Sequence, residues 1–194
     1  MPYTAEHKQQ TRDKIVESAR ILFNRRGFEQ VSIDEVMNGA GLTRGGFYKH
    51  FDSKDELYAA AVESFRTCNP FGKQLAAAKD PPTDPRVVAR MLVELYLSDE
   101  TLADVDQHCP LIALPSDVAR AGLVPRASYT MLVTNMRDTF RAALDPDPDA
   151  ERKALLMVSL CVGGMVIART TDDPRLRLQT RAIARAQALD LLGS

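Results

Sequence analysis

The sequence predicts an all-α chain of about nine helices. Three observations carry that expectation. Apolar residues recur at helical spacing through most of the chain, as at Ile15, Ala19, Leu22 and Phe23, or at Val88, Met91, Leu92 and Leu95. No run alternates apolar and polar residues in the manner of a half-buried strand. The 11 prolines and 10 glycines fall mostly in clusters that punctuate the periodic stretches.

Residues 1 to 7 are expected to be disordered. A first helix should run from Lys8 to Arg26, with Gly27 as its C-cap and Arg25 and Arg26 at the negative end of its dipole. Phe28 and Val31 would then add core contacts. Ser32 precedes the apolar stripe Ile33, Val36 and Met37, and Glu35 stands three residues after it, the pattern of a capping box. Gly39, Ala40 and Gly41 break the stripe, Gly41 being free to take the left-handed conformation, and Leu42 anchors the turn. Thr43 is expected to cap a second short helix reaching Phe51. Phe47 and Phe51 would share its inner face, leaving Arg44, Tyr48 and Lys49 outward.

Two short helices joined by such a turn form a helix-turn-helix, whose second helix can enter a DNA major groove. No acidic residue occurs between Val36 and Phe51, whereas Thr43, Arg44, Tyr48, Lys49 and His50 offer donors to phosphates or base edges. Gly45 and Gly46 lower the intrinsic stability of the second helix by roughly 1 kcal/mol each. Asp52 or Ser53 should cap the following helix, 54–67, with Leu57, Ala61 and Phe65 on one face. Lys54 in its first turn could reach a phosphate beside the helix amides.

The stretch AGLTRGGFYKHFDSKDELY, from Ala40 to Tyr58, resembles the signature of the TetR/AcrR family of bacterial transcription regulators. The shared features are the glycine-bearing turn, the Y-x-H-F segment and the S-K-x-x-L that follows. In a looser sense the resemblance spans Thr11 to Phe65, and the rest agrees only in general pattern. It implies a homodimeric DNA-binding regulator, a repressor released from a pseudo-palindromic operator by a small-molecule inducer. The DNA-binding candidates are Ser32, Thr43, Arg44, Gly45, Gly46, Tyr48, Lys49, His50 and Lys54.

Beyond Cys68 the chain is broken by Pro70, Gly72, Pro81, Pro82 and Pro85, a connection with one short helical piece around Lys73 to Ala78. A clear amphipathic helix then covers Val87 to Tyr96, headed by Asp84 and Pro85. Two short segments divide Asp99 to Pro125. A long stripe from Tyr129 to Leu144 ends at the run DPDPD. The helix from Ala150 to Thr171 is apolar nearly all round from Leu155, so it should be covered on more than one side, with Gly163, Gly164 and Ala168 allowing close approach. A last helix, Arg175 to Leu192, is rich in alanine. The expected organisation is a helix-turn-helix domain over 1–53, a linking helix 54–67, and a ligand-binding and dimerisation bundle over 68–194.

Met91, Leu95, Tyr96, Cys109, Tyr129, Leu132, Met136 and Phe140 are candidate pocket residues because they are apolar, flexible or aromatic; core packing explains most of them equally well. In proteins of the resembling family the last two helices pair with their symmetry mates as a four-helix bundle. That makes Leu160, Gly163, Gly164, Ile167, Ala182, Ala186 and Leu189 candidates for a dimer face.

Composition narrows the class further. The chain has 194 residues, 45% of them hydrophobic, and a formal net charge of -1, so any DNA contact must come from a local patch. Its three cysteines at 68, 109 and 161 suit neither a disulfide framework nor a zinc site, and His7, His50 and His108 are too scattered for a metal. No cofactor is implied. The N-terminus lacks the apolar core of a signal peptide, and the apolar run Val158–Ala168 is too short to span a bilayer, so a cytoplasmic protein without membrane contact is expected. Cys109, between His108 and Pro110, is either a small buried hydrophobe or a redox or electrophile sensor. A helical cysteine enzyme using His108 and Cys109 is disfavoured, because chain neighbours rarely face each other and no orienting carboxylate stands nearby. The chain is expected not to be an enzyme.

Overall fold

The computed structural model describes residues 5–193. In chain order it contains α1 (Ala5–Arg26), α2 (Ile33–Gly39), a 3-10 helix (Arg44–Lys49), α3 (Lys54–Cys68), α4 (Pro70–Ala77), α5 (Pro85–Tyr96), α6 (Asp99–Ala103), a 3-10 turn (Val105–Gln107), α7 (Pro110–Ala113), α8 (Pro115–Arg120), α9 (Leu123–Leu144), α10 (Ala150–Thr170) and α11 (Pro174–Leu191). Every regular element among the described residues is helical. Within Asp99–Pro125 the two expected segments are four, α6, the 3-10 turn, α7 and α8, with Pro110 and Pro115 taking the first positions of α7 and α8.

The chain divides into two compact units, one holding residues up to Thr67 together with Val105–Thr130, the other holding Cys68–Asp104 and the residues from Met131. The first unit is built on α1, which starts at Ala5, so Ala5–His7 are helical where disorder was expected; residues 1–4 lie outside the described residues. Ile15, Ala19 and Phe23 are fully buried along its inner face. Gly27 ends it at φ +80°, and its amide donates to the Phe23 carbonyl at 2.8 Å. Gly39 is part of α2 rather than a break in it. A Cβ there would stand 2.4 Å from Ser18 Oγ, so the missing side chain lets α2 lie against α1, where the Ser18 hydroxyl donates to the Val36 carbonyl at 2.8 Å.

Ser53, not Asp52, caps α3: its hydroxyl accepts from the Glu56 amide at 3.1 Å, while the Glu56 carboxylate accepts from the Asp52 amide at 2.8 Å. Tyr58 on α3 is fully buried, edge-on to Phe23 with centroids 5.3 Å apart and 4.6 Å from Phe28. Val105–Thr130 joins this unit through polar ties that periodicity does not announce. Arg20 and Asn24 donate to the Asp106 carbonyl at 2.7 and 3.2 Å, and Asn24 also donates to the His108 carbonyl at 3.0 Å. The Arg25 fork meets both carboxylate oxygens of Asp106 at 2.6 and 2.7 Å, and Asp117 on α8 accepts from the Phe28 amide at 3.1 Å.

In the second unit, α4 starts three residues before the expected Lys73, because Asn69 accepts from the Gly72 amide at 2.6 Å and Pro70 takes the first helical position. Asp84 caps α5 as expected, accepting from the Arg86 amide at 2.8 Å. α9 begins at Leu123, earlier than the Tyr129 stripe, since Pro125 sits in its first turn, where no intrahelical donor is missed. Ala184 and Ala188 on α11 and Ala154, Met157, Cys161, Met165 and Ala168 on α10 are buried. Arg181 on α11 is itself buried, donating to the Leu97 carbonyl at 3.2 Å and to the Asp99 carboxylate.

α10 is long and apolar enough to cross a membrane by length and composition, although the Val158–Ala168 run within it is too short by itself. It is not covered all round within the chain. Leu155, Leu156 and Ile167 on α10 stand exposed, as do Leu176, Leu178 and Ile183 on α11.

Candidate nucleic-acid interface

α2 begins with the expected capping box: the Ser32 hydroxyl accepts from the Glu35 amide at 3.2 Å, and the Glu35 carboxylate accepts from the Ser32 amide and hydroxyl, both at 2.8 Å. These bonds, with Arg26 beside them, hold the Glu35 carboxyl down to about 2, the Ser32 amide being the largest cause. Ser32 is exposed, but its hydroxyl is already committed to the helix start. The turn follows, with Gly41 at φ +71° and the Leu42 amide donating to the Met37 carbonyl at 2.8 Å.

The second element differs from expectation. It is a six-residue 3-10 helix, and although Thr43 occupies its N-cap position, the Thr43 side chain makes no capping bond. Two consecutive glycines and a missing cap remove the local terms that would draw so short a segment into an α-helix. Tertiary packing positions it instead. Phe47 and Phe51 are buried and stacked with centroids 5.8 Å apart, and the Arg12 guanidinium lies 3.9 Å over the Phe51 ring. Arg12 also donates to the His50 carbonyl, which fixes where the element ends.

Anchoring through Phe47 turns the neighbouring side chains outward: Tyr48 is 61% exposed, and Arg44 and Lys49 are also exposed. Arg44 has a partner, since Asp34 on α2 accepts from it at 2.7 Å. The acid-free reading of the recognition segment therefore missed a carboxylate delivered from the preceding helix. Both groups are largely exposed, so the pair is weak and open to competition from phosphate.

Lys54 is held differently from the expected phosphate contact. Its ammonium donates to the Phe28 carbonyl at 2.5 Å and lies 4.2 Å from the Phe28 ring centre, and burial, the largest cause, lowers its pKa. His50 is half-buried, its Nδ1 buried without a hydrogen-bond partner; burial first, then Lys8, Arg12 and Lys49, lower its pKa.

Beside this element lies a hollow of about 610 Å³, lined by His7, Lys8, Thr11 and Lys14 of α1, by Met37 and Ala40–Thr43, and by Gly45, Gly46, Lys49 and His50. The α1 lysines add cations that the helix-turn-helix motif alone does not indicate; the available signal is Lys8 and Lys14 in the first three turns of α1.

The other candidates fall elsewhere. Cys109 and Tyr129 belong to the first unit, whereas Met91, Leu95, Tyr96, Leu132, Met136 and Phe140 belong to the second. Tyr129 donates to the Leu111 carbonyl at 3.3 Å, and its hydroxyl is pushed up to about 12 by burial first and by Cys109 second. Cys109 is 6% exposed. Leu132, Met136 and Phe140 are buried core residues, and Met91 and Leu95 half-buried.

Of the dimer-face candidates, Ile167, Ala182 and Ala186 are exposed and Leu160, Gly163 and Leu189 half-buried. Gly164 is buried. It faces Ala184 and Leu97 of its own chain, so it serves packing inside the unit and does not lie on the exposed face. Among the described residues no three His, Cys, Asp or Glu side chains gather as a metal site.

A capped helix, a glycine turn and a second short helix with an outward cationic face define a helix-turn-helix protein of the DNA-binding class. Residues 15–61 match the family model described as bacterial regulatory proteins, tetR family. That segment is a DNA-binding region of the kind found in TetR/AcrR-family transcription regulators, in agreement with the resemblance carried by Ala40–Tyr58.

Among its relatives, the uncharacterized HTH-type transcriptional regulator YfiR of Bacillus subtilis is 36% identical over 61 residues, 31% of this chain and 30% of that protein. The HTH-type transcriptional regulator TtgR of Pseudomonas putida is 28% identical over 93 residues, 48% of this chain and 44% of that protein. The chain thus matches less than half the length of these relatives. The solved E. coli NemR in its reduced form shares the fold, with a TM-score of 0.73 at 15% identity over 91% of this chain and 96% of that one.

Proposed function

We propose that the chain is a homodimeric repressor that binds a pseudo-palindromic operator and releases it when a small molecule occupies the region C-terminal to the helix-turn-helix. The observation that carries this reading is the outward set Arg44, Tyr48 and Lys49, held by buried Phe47 and Phe51 behind a capped α2. Thr43, Gly45, Gly46 and His50 complete the face, with Lys8 and Lys14 added from α1. Ser32 and Lys54, committed to Glu35 and to the Phe28 carbonyl, act as supports of that face.

The functional division is 1–53 for DNA reading, 54–67 as link and 68–194 for ligand and assembly, with Val105–Thr130 packed on the N-terminal helices. Exposed Leu155, Leu156, Ile167 and Ile183 on α10 and α11 support assembly through those helices, because so many large apolar groups on two adjacent helices favour a partner. A two-fold dimer would place two reading heads about one DNA turn apart. Release requires an inducer that binds the spread conformation better than the DNA-bound one. The cytoplasm is the compartment such a function requires.

Selecting bound fragments from the genomic DNA beside the chain's own gene, then screening small molecules for release, tests the proposal. Enrichment of a two-fold symmetric sequence supports it. A folded protein that enriches nothing contradicts it.

A second reading rests on the ties around Cys109. Asn24 of α1 holds the His108 carbonyl at 3.0 Å, so a bulky adduct on Cys109 would disturb a segment bonded to the helix that supports the reading head. Thiol labelling resolved by mass spectrometry decides it: Cys109 must react faster than exposed Cys68 for a sensor, and slower labelling leaves it a buried structural residue.

A further inference from the structure

A hollow of about 450 Å³ lies within the second unit, where the last turns of α9 and α11 meet the first turns of α5 and α10. Small-molecule sites occupy about 300–1,000 Å³. None of its lining residues belongs to the DNA face or to the exposed apolar face of α10 and α11. Four charged side chains line it, and two of them neutralise each other: the Lys153 ammonium donates to the Asp147 carboxylate. The other two are not so matched. Among the described residues Arg86 makes no ion pair, and the Asp190 carboxylate accepts only from the neutral Gln187 amide at 3.3 Å. No nitrogen of Arg86 comes within 4.0 Å of an Asp190 carboxylate oxygen, so the two face one hollow without bridging it. Beneath them Leu144 and Leu192, each 4% exposed, form an apolar floor. Either charge alone would be an ordinary solvated surface group. A separated cation and anion over an apolar floor instead match a small molecule that carries both charges and an apolar body.

We propose that this hollow binds a free α-amino acid with an apolar side chain, its carboxylate on Arg86, its ammonium on Asp190 and its side chain over Leu144 and Leu192. A guanidinium fork meets a carboxylate with two parallel bonds. The helix ends agree with that orientation, because Arg86 stands in the first turn of α5, where negative charge is favoured, and Asp190 in the last turn of α11, where positive charge is favoured. Both side chains are exposed, so each ionic contact is weak and the affinity modest. The site does not depend on the DNA-binding reading, and neither stands or falls with the other.

Calorimetric titration of the full chain with L-leucine tests it, with a dissociation constant on the order of 1 mM expected. N-acetyl-leucine lacks the positive charge and leucine amide the negative one, and each should bind roughly tenfold more weakly. Glycine, which leaves the floor bare, should also bind more weakly than leucine. Arg86→Gln and Asp190→Asn should keep the wild-type thermal midpoint and each lose a similar factor for leucine. The orientation follows from the pairing of losses: Asp190→Asn should bind leucine and N-acetyl-leucine alike, and Arg86→Gln should bind leucine and leucine amide alike. Wild type that binds none of L-leucine, L-methionine and L-phenylalanine overturns the proposal. N-acetyl-leucine or leucine amide bound by wild type as tightly as leucine overturns it too. Leucine affinity that both variants leave unchanged places the amino acid elsewhere on the chain and equally overturns it.

Discussion

Gly164 on α10 faces Ala184 on α11 so closely that a Cβ added to the glycine would lie 2.7 Å from that of the alanine, while a Cβ on its neighbour Gly163, which points about 100° further round the helix, would meet nothing within 4 Å. Two consecutive glycines thus divide their roles, one letting helices of the same chain close together and the other lying on the side that a partner copy can reach. Gly164→Val should destabilise the protomer by about 1–3 kcal/mol through overpacking. Gly163→Arg should keep the circular dichroism and thermal midpoint of the protomer but weaken self-association. Thermal unfolding and sedimentation of the two variants check this; matching effects would remove the division.

The Asp34–Arg44 pair restrains a residue that DNA would use. Asp34→Asn should tighten binding to unrelated duplexes at low salt by removing both a competitor for Arg44 and a negative charge near the phosphates. Arg44→Ala should cost about 1–3 kcal/mol on the operator and relax base preference, if its fork meets a guanine. Fluorescence anisotropy across a salt series separates the two effects.

Lys54→Ala should act mainly on the fold. It removes a charge-assisted bond to the Phe28 carbonyl and a cation–π contact, together about 1–2 kcal/mol at a half-buried site. Lys49→Ala should instead leave unfolding unchanged and reduce the salt slope of DNA binding by about one. Chemical denaturation and salt titration of both variants test the assignment.

How far the sequence reveals these features depends on whether their cause is local. The capping box at Ser32 and Glu35, the C-cap at Gly27 and the buried pair Phe47 and Phe51 depend on residues within one turn or two, and all are legible in the pattern. The Asp34–Arg44 pair, the capture of Lys54 by Phe28 and the ties from Arg20, Asn24 and Arg25 to Asp106 join residues 10 to 86 positions apart. Helical periodicity carries no information about such partners. The opposite fates of Gly163 and Gly164 likewise depend on the rotation of α10 against α11.

His50 gives a pH prediction. Its folded pKa lies below the usual 6.5, with burial the first cause and Lys8, Arg12 and Lys49 the charged groups facing it. The unfolded chain therefore binds more protons near that pH, and stability falls as pH drops below 6.5. Phosphate beside His50 would favour the charged form, so operator affinity should rise over the same interval. His50→Asn should flatten both trends, as denaturation and anisotropy at several pH values would show.

The central claim is tested most directly by footprinting the wild-type protein and the Arg44→Ala variant on the DNA flanking its own gene. The account predicts two protected half-sites related by two-fold symmetry, with centres about 10 base pairs or a multiple apart, and loss of that protection in the variant. A folded wild-type protein that leaves this DNA uniformly cleaved, or a variant that protects the same bases equally well, would contradict it.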